Sequence, residues 1–304
     1  MGLQFAHSGT NLYICGLQDT NKWSSLTQPH STSHHHSTHR SQTLVPISQF
    51  LTLKMAAPFP SPTSMWHTTT YDAISPTRPE LSAKGNTVLV TGGGTGIGAE
   101  TARYFAKAGA SRIALLGRRE QPLLDTKKAI EKEFPDAEVF VASTDITNKE
   151  EVDSAFAKFL GDRKLDVVVS NAATIGPQDP VKDADAERFL DAIQQNLRGA
   201  MFVAQAFLRH ASDRAVAINV SSSVAHLDFG PGFASYGVAK MAIVRLWNSV
   251  AFANPDLSVF HIQPGVVDTA MNREAGGVKA MGFADDGEWD ALCVAKITCR
   301  LTRN

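Results

Sequence analysis

The chain has 304 residues, is 43% hydrophobic, and sets 29 Lys+Arg against 30 Asp+Glu for a formal net charge of -1. That balance leaves no electrostatic footprint for nucleic acid or an anionic membrane surface, and no apolar run is long enough to span a bilayer. Cys15, Cys293 and Cys299 are too few and too scattered for a disulfide framework, so a soluble chain in a reducing, cytoplasmic compartment is expected.

Residues 1–84 differ in texture from the rest. Met1 to Lys54 is rich in Ser, Thr, Gln and His, has Asp19 as its sole acid, and contains the run Ser31-Thr32-Ser33-His34-His35-His36-Ser37-Thr38-His39. A His tract without fixed geometry is solvated rather than metal-binding. The segment is Ser-rich and acid-poor like a mitochondrial leader, but its basic residues are only Lys22, Arg40 and Lys54 and it has no sustained amphipathic stripe. A disordered arm is expected over residues 1–84, with Met55 opening its Pro-rich second half as an alternative start.

From Gly85 the pattern tightens into a domain expected to run over residues 85–304. Thr87 to Val90 is a short β-branched run that reads as a buried parallel strand. Gly92-Gly93-Gly94-Thr95-Gly96-Ile97-Gly98 and an Ala-rich helical pattern follow it. Strand, glycine loop and helix N-terminus together make a phosphate cradle, because the first helical N–H groups point at the anion and glycine lets the backbone approach it. The spacing, Gly92-x-x-x-Gly96-x-Gly98, is not the G-x-G-x-x-G of the common dinucleotide fingerprint.

Further strands are predicted at Arg112–Leu116, Glu138–Ala142, Leu165–Val169, Arg214–Val220 and Leu257–Ile262. Helices are predicted at Gln121–Phe134, Lys149–Leu160, Glu187–Arg209 and Phe233–Ala253. The alternation implies an α/β fold, a doubly wound parallel sheet of Rossmann type. Ligands of such sheets sit beyond the strand C-terminal ends, where the glycine loop, Ser221–Ser223 and Pro264-Gly265 all fall.

Tyr236 and Lys240 are four apart on a predicted helix and therefore share a face. A phenol titrates near pKa ~10; a neighbouring ammonium favours the phenolate and is expected to bring Tyr236 towards a working range. A serine from a strand end can hold a carbonyl or alcohol oxygen beside that phenol. Tyr-x-x-x-Lys alone is weak and is more often an ordinary surface pair; its weight comes from the motifs upstream.

In that order and spacing, the chain resembles a single-domain short-chain dehydrogenase/reductase from about Gly85 to about Asn272. Thr91–Gly98 is similar to the family's T-G-x-x-x-G-x-G cofactor loop, which implies cofactor contacts at Gly92, Thr95, Gly96, Ile97 and Gly98. Asp145 matches the aspartate beside the adenine, and Asn171-Ala172-Ala173 resembles N-A-G with Ala173 in place of the last glycine. Pro264, Val267 and Thr269 match the segment that meets the nicotinamide carboxamide. The resemblance implies Tyr236 as general acid in reduction and base in oxidation. Lys240 would lower its pKa and hold the ribose hydroxyls, Ser223 would polarise the substrate oxygen, and Asn196 would support a proton relay. Ser223 lies thirteen positions before Tyr236, the family's usual offset, with Ser221 and Ser222 as alternatives.

The second strand ends Leu115-Leu116-Gly117-Arg118-Arg119, with no acid before Glu120. An acid there would accept from a ribose 2′-hydroxyl, whereas a guanidinium suits a 2′-phosphate. NADP(H) is therefore expected over NAD(H), clamped by Arg118 with Arg119 as runner-up. The substrate expected is a small-molecule carbonyl/alcohol pair. Asp228–Phe233 reads as either a pocket lining or a turn, and His226 as an exposed loop residue.

The helices at Glu187–Arg209 and Phe233–Ala253 resemble those the family packs into a homodimer or homotetramer. The tail from Gly287 to Asn304, with Trp289, lacks the family's closing strand, so an altered or truncated C-terminus, and with it a non-catalytic dinucleotide-binding protein, is the alternative expectation.

Overall fold

The computed structural model describes residues 13–14, 71–228 and 230–277. The tail from Gly287 lies outside the described residues.

Alternation at period two fixes the layers. In β2 (Thr87–Thr91), Val88 and Val90 point to one side of the sheet and Leu89 to the other, all fully buried. β3 (Arg112–Gly117) repeats this with Ile113 and Leu115 against Ala114 and Leu116. One side is covered by α1 (Gly96–Lys107) and α2 (Glu120–Glu133). The other is covered by α3 (Lys149–Leu160), α4 (Ala186–His210) and α5 (Ala234–Ala253). A strand buried on both faces has no polar side to show, which is why these segments read as continuous apolar runs.

The remaining strands are β4 (Glu138–Ser143), β5 (Leu165–Ser170), β6 (Ala211–Val220) and β7 (Ser258–Ile262). With β1 (Tyr13–Ile14) the sheet order is β1-β7-β6-β5-β2-β3-β4, every neighbouring pair parallel. All six predicted strands are present. β1 was not predicted: it lies in the arm expected to be disordered, and it pairs Tyr13 with His261 and Ile14 with Ile262 on the outer side of β7. The free ladder groups of an edge strand accept even a short partner.

Chain order reverses between β2 and β5. The chain winds outward through β3 and β4 on one side and through β6 and β7 on the other, so a crevice opens at the C-terminal ends of β2 and β5.

The helices are seated by small residues at helical spacing. α4 buries Ala192, Asn196, Gly199, Ala200, Val203, Ala204 and Phe207, and Asp185 caps it by accepting the Arg188 N–H at 2.9 Å. A methyl group on Gly199 would lie 2.5 Å from Ile146 Cδ1. Trp247 of α5 is fully buried edge-on to Phe207 of α4, ring centroids 6.2 Å apart; truncating such a ring costs about 3–5 kcal/mol. α5, which carries Tyr236 and Lys240, is thereby a rigid mount.

Candidate active site

Thr91, at the end of β2, knits the floor of the crevice. Its hydroxyl donates to the Val169 carbonyl (3.3 Å) and accepts from the N–H groups of Asn171 (2.9 Å) and Ala172 (3.1 Å). Asn171 Nδ2 returns a 2.9 Å bond to the Thr91 carbonyl. The ends of β2 and β5 are thus locked at the switch point, with Asn171 directly under the glycine loop.

That loop is as tight as backbone allows. A methyl on Gly98 would lie 2.2 Å from the Gly92 carbonyl oxygen and 2.7 Å from Asn171 Nδ2. Gly92 has φ 70° and Gly96 φ 54°, the left-handed region that glycine enters without strain. Thr95 stands at the N-cap of α1 without a side-chain capping bond, so the first-turn N–H groups, including those of Ile97 and Gly98, remain available to an anion. Across the crevice, Thr269 Cγ2 sits 3.0 Å from where a Gly96 Cβ would be. The stretch after β7 that carries Pro264, Val267 and Thr269 therefore closes on the same loop. Thr269 also caps α6 (Ala270–Glu274) by accepting the Asn272 N–H at 3.1 Å.

Arg118 and Asp145 follow β3 and β4. The Arg118 carbonyl accepts a 3.0 Å bond from the Ser143 hydroxyl, while the guanidinium is exposed. Among the described residues no ion pair engages Arg118 or Arg119. The Asp145 carboxylate accepts from the Thr147 N–H (2.9 Å) and hydroxyl (2.8 Å). Those bonds, with the positive charge of Arg118 nearby, hold it below the usual carboxylate range. A dinucleotide phosphate suits this cradle: left-handed glycines and uncapped first-turn N–H groups face it, and the Arg118 and Arg119 guanidiniums, in no ion pair among the described residues, stand at the next strand end.

Tyr236 and Lys240 face the end of β6. Lys240 is only 4% exposed; its Nζ donates to the Val220 carbonyl at 2.7 Å and lies 5.5 Å from the centroid of the Tyr236 ring. Burial pushes the Lys240 ammonium down to about 8. It also pushes the Tyr236 phenol up to about 12, which corrects the expectation that Lys240 lowers it. Here the ammonium is engaged by Val220 and sits over the ring face, so desolvation of the phenolate dominates.

The Ser223–Ala225 turn packs on α5 through Gly237, where a methyl would meet the Val224 carbonyl oxygen at 2.8 Å. Ser222 and Ser223 are half-buried. Ser221 is 6% exposed with its Oγ unpartnered, and its N–H is tied to the Ile262 carbonyl at 2.8 Å.

Asn196 is fully engaged. Its amide brackets Thr174, accepting the Thr174 N–H and donating to the Thr174 carbonyl, each at 2.9 Å, and donates also to the Ala192 carbonyl at 3.0 Å. The side chain is thus a strut holding the loop after β5. That loop is further tied by Ser235 Oγ donating to the Pro177 carbonyl (3.2 Å) and by Gln178 Nε2 donating to the Glu274 carbonyl of α6 (3.2 Å). Pro231–Phe233 forms a single turn leading into α5, and His226 is exposed.

Residues 86–278 match the family model for short chain dehydrogenase, more than half of the chain. The chain belongs to the short-chain dehydrogenase/reductase family. It is similar to short chain dehydrogenase/reductase AacuD of Aspergillus aculeatus, with 30% identity over 229 residues covering 75% of this chain and 79% of that protein. It is also similar to short chain dehydrogenase pigC of Monascus ruber, at 32% over 212 residues covering 67% and 69%. Among solved structures, the alcohol dehydrogenase of Thermococcus sibiricus complexed with 5-hydroxy-NADP aligns at TM-score 0.56 and 30% identity, over 60% of this chain and 77% of that one. As a short-chain dehydrogenase/reductase the protein is an oxidoreductase, and the family uses NAD(P) cofactors. Among the described residues no helix is long and apolar enough to cross a membrane.

Sequence reasoning singled out every element of this crevice but missed some of its joints. The Val220 carbonyl, Thr174 and Gln178 act through backbone or cross-loop bonds that leave no mark on residue type. Thr91 was visible in the motif, but its place as the hub between β2 and β5 was not.

Proposed function

We propose that this short-chain dehydrogenase/reductase is an NADP(H)-dependent carbonyl reductase or alcohol dehydrogenase in which Tyr236 is the acid–base group. The observation that carries the reading is that Tyr236, Lys240 and the Ser223 turn gather at the end of β6, in the crevice whose other wall is the glycine cradle. Gly92, Thr95, Gly96, Ile97 and Gly98 would hold the pyrophosphate, Asp145 and Asn171 the adenosine side, and Pro264, Val267 and Thr269 the nicotinamide. Arg118 would pair with a 2′-phosphate. When bound, the nicotinamide supplies or accepts the hydride.

The chain's own residues manage the proton. With the phenol at about 12, Tyr236 is protonated at neutral pH, the state that donates to a carbonyl oxygen as negative charge develops on it. Ser223 donates a second hydrogen bond to that oxygen. Lys240, charged below about 8, holds the ribose hydroxyls. Asn196 keeps the Thr174 loop in place beside the proton path. Reduction is favoured near neutrality, because oxidation needs Tyr236 to start without its proton.

A homodimer or homotetramer through α4 and α5 is part of this reading. Leu190, Met201 and Leu208 on α4, with Val238, Met241 and Phe252 on α5, are exposed on the outer face, Phe252 to 92%. The three scattered cysteines fit a cytoplasmic setting. Fluorescence titration with NADPH and NADH tests the cofactor assignment: tighter NADPH binding is expected, and equal or tighter NADH binding would remove Arg118 as selector.

A further inference from the structure

His261 lies in β7, outside every motif discussed above, yet it joins three elements that build the site. It is the register partner of Asn219 on β6, so both side chains stand on the same face of the sheet. Asn219 Nδ2 is 3.0 Å from His261 Nδ1, and Asn248 Oδ1, from α5, is 2.9 Å from His261 Nε2. An amide nitrogen can only donate and an amide oxygen only accept, so with these side-chain orientations the ring is the neutral tautomer carrying its proton on Nε2. The imidazole is 5% exposed and burial pushes its pKa down to about 4, with the charge of His226, just past the Ser223 turn, acting in the same direction.

The bonds of this ring lead to the reactive groups in one step each. Asn219 precedes Val220, whose carbonyl receives the Lys240 ammonium. Asn248 lies two turns beyond Lys240 on the same helix. Ile262, next to His261, accepts the Ser221 N–H, at the root of the serine turn. A leucine would fill the space but remove the ring's hydrogen bonds to the buried Asn219 amide and to the half-buried Asn248 amide.

We propose that His261 is a positioning residue for Lys240: its neutral imidazole braces β6, β7 and α5, and so fixes the Val220 carbonyl against which the ammonium is held. The link to cofactor binding rests on Lys240 holding the ribose, as proposed above; the brace itself does not.

The test follows the Lys240 titration by NMR of carbon-labelled lysine side chains, alongside NADPH titration, in wild type, His261→Leu and His261→Gln. Without a fixed carbonyl acceptor the charged form loses support. The Lys240 midpoint in His261→Leu is expected to fall by about 1 unit and NADPH affinity by about tenfold. His261→Gln, which keeps a donor and an acceptor, is expected to restore much of both. If His261→Leu does not fold, Asn248→Ala breaks one arm of the brace and is expected to move the midpoint the same way. An unmoved Lys240 midpoint in a folded variant overturns the brace, even if the variant melts earlier. A shifted midpoint in a chain that does not bind NADPH upholds the brace and overturns the cofactor reading.

Discussion

Lys240 Nζ donates a 2.7 Å hydrogen bond to the Val220 carbonyl, tying α5 to the end of β6 inside the protein. The carbonyl gives the charged ammonium an acceptor, while burial lowers its pKa to about 8. NADPH affinity is therefore predicted to fall as pH rises through about 8, because the neutral amine no longer attracts the ribose hydroxyls as a cation does. Lys240→Met is predicted to show weak binding at all pH values and no such transition. Fluorescence titration across pH checks both.

Arg118 carries no ion pair among the described residues, so its guanidinium is free to meet a phosphate. Arg118→Ala is predicted to weaken NADPH binding by about 10–100-fold, the worth of one or two charge-assisted hydrogen bonds, while leaving NADH binding nearly unchanged. Arg118→Asp is predicted to reverse the preference. Paired Kd values for the two cofactors decide it.

Gly98→Ala sets a methyl 2.2 Å from the Gly92 carbonyl oxygen. Neither backbone can yield without opening the cradle, so the variant is predicted to lose about 3 kcal/mol of stability and to bind neither dinucleotide. Thermal melting with and without NADPH checks this: wild type is stabilised by the cofactor and the variant is not.

His261 makes stability depend on pH. Its folded pKa is about 4 against an ordinary value of 6.5. Between those values the unfolded chain takes up a proton that the folded chain refuses. Stability is thus predicted to be full above about 6.5 and to fall by about 3 kcal/mol as pH drops towards 4. In His261→Gln this component of the slope disappears. Denaturant midpoints across that range measure it.

Met241 and Phe252 are exposed on the outer face of α5. Replacing both with Asp is predicted to yield a monomer by light scattering with the fold intact, since neither side chain serves the core.

The sequence made the steric part of the site legible. Gly92 and Gly96 take left-handed backbone and Gly98 lies against the Gly92 carbonyl, so a pattern of glycines states the tight loop directly. The strands were legible because runs such as Val88–Val90 and Val167–Val169 are apolar on both faces. What depended on distant partners was not. His261 meets Asn219 and Asn248 at sequence separations of 42 and 13, and no local pattern marks it. The direction of the Tyr236 shift was misjudged for a related reason: the spacing to Lys240 told of a nearby charge, but only the packed fold shows that burial outweighs it. β1 was invisible because two residues carry no periodicity; the exposed ladder of β7 supplies what the segment lacks.

The most direct test of Tyr236 as the proton donor is to compare wild type with Tyr236→Phe, measuring NADPH binding by fluorescence and NADPH consumption with a panel of small ketones. The prediction is that Tyr236→Phe binds NADPH within about threefold of wild type, a difference under ~1 kcal/mol, and reduces ketones at least ~100-fold more slowly. Ketone reduction by Tyr236→Phe at the wild-type rate would contradict the assignment and place the acid elsewhere in the crevice.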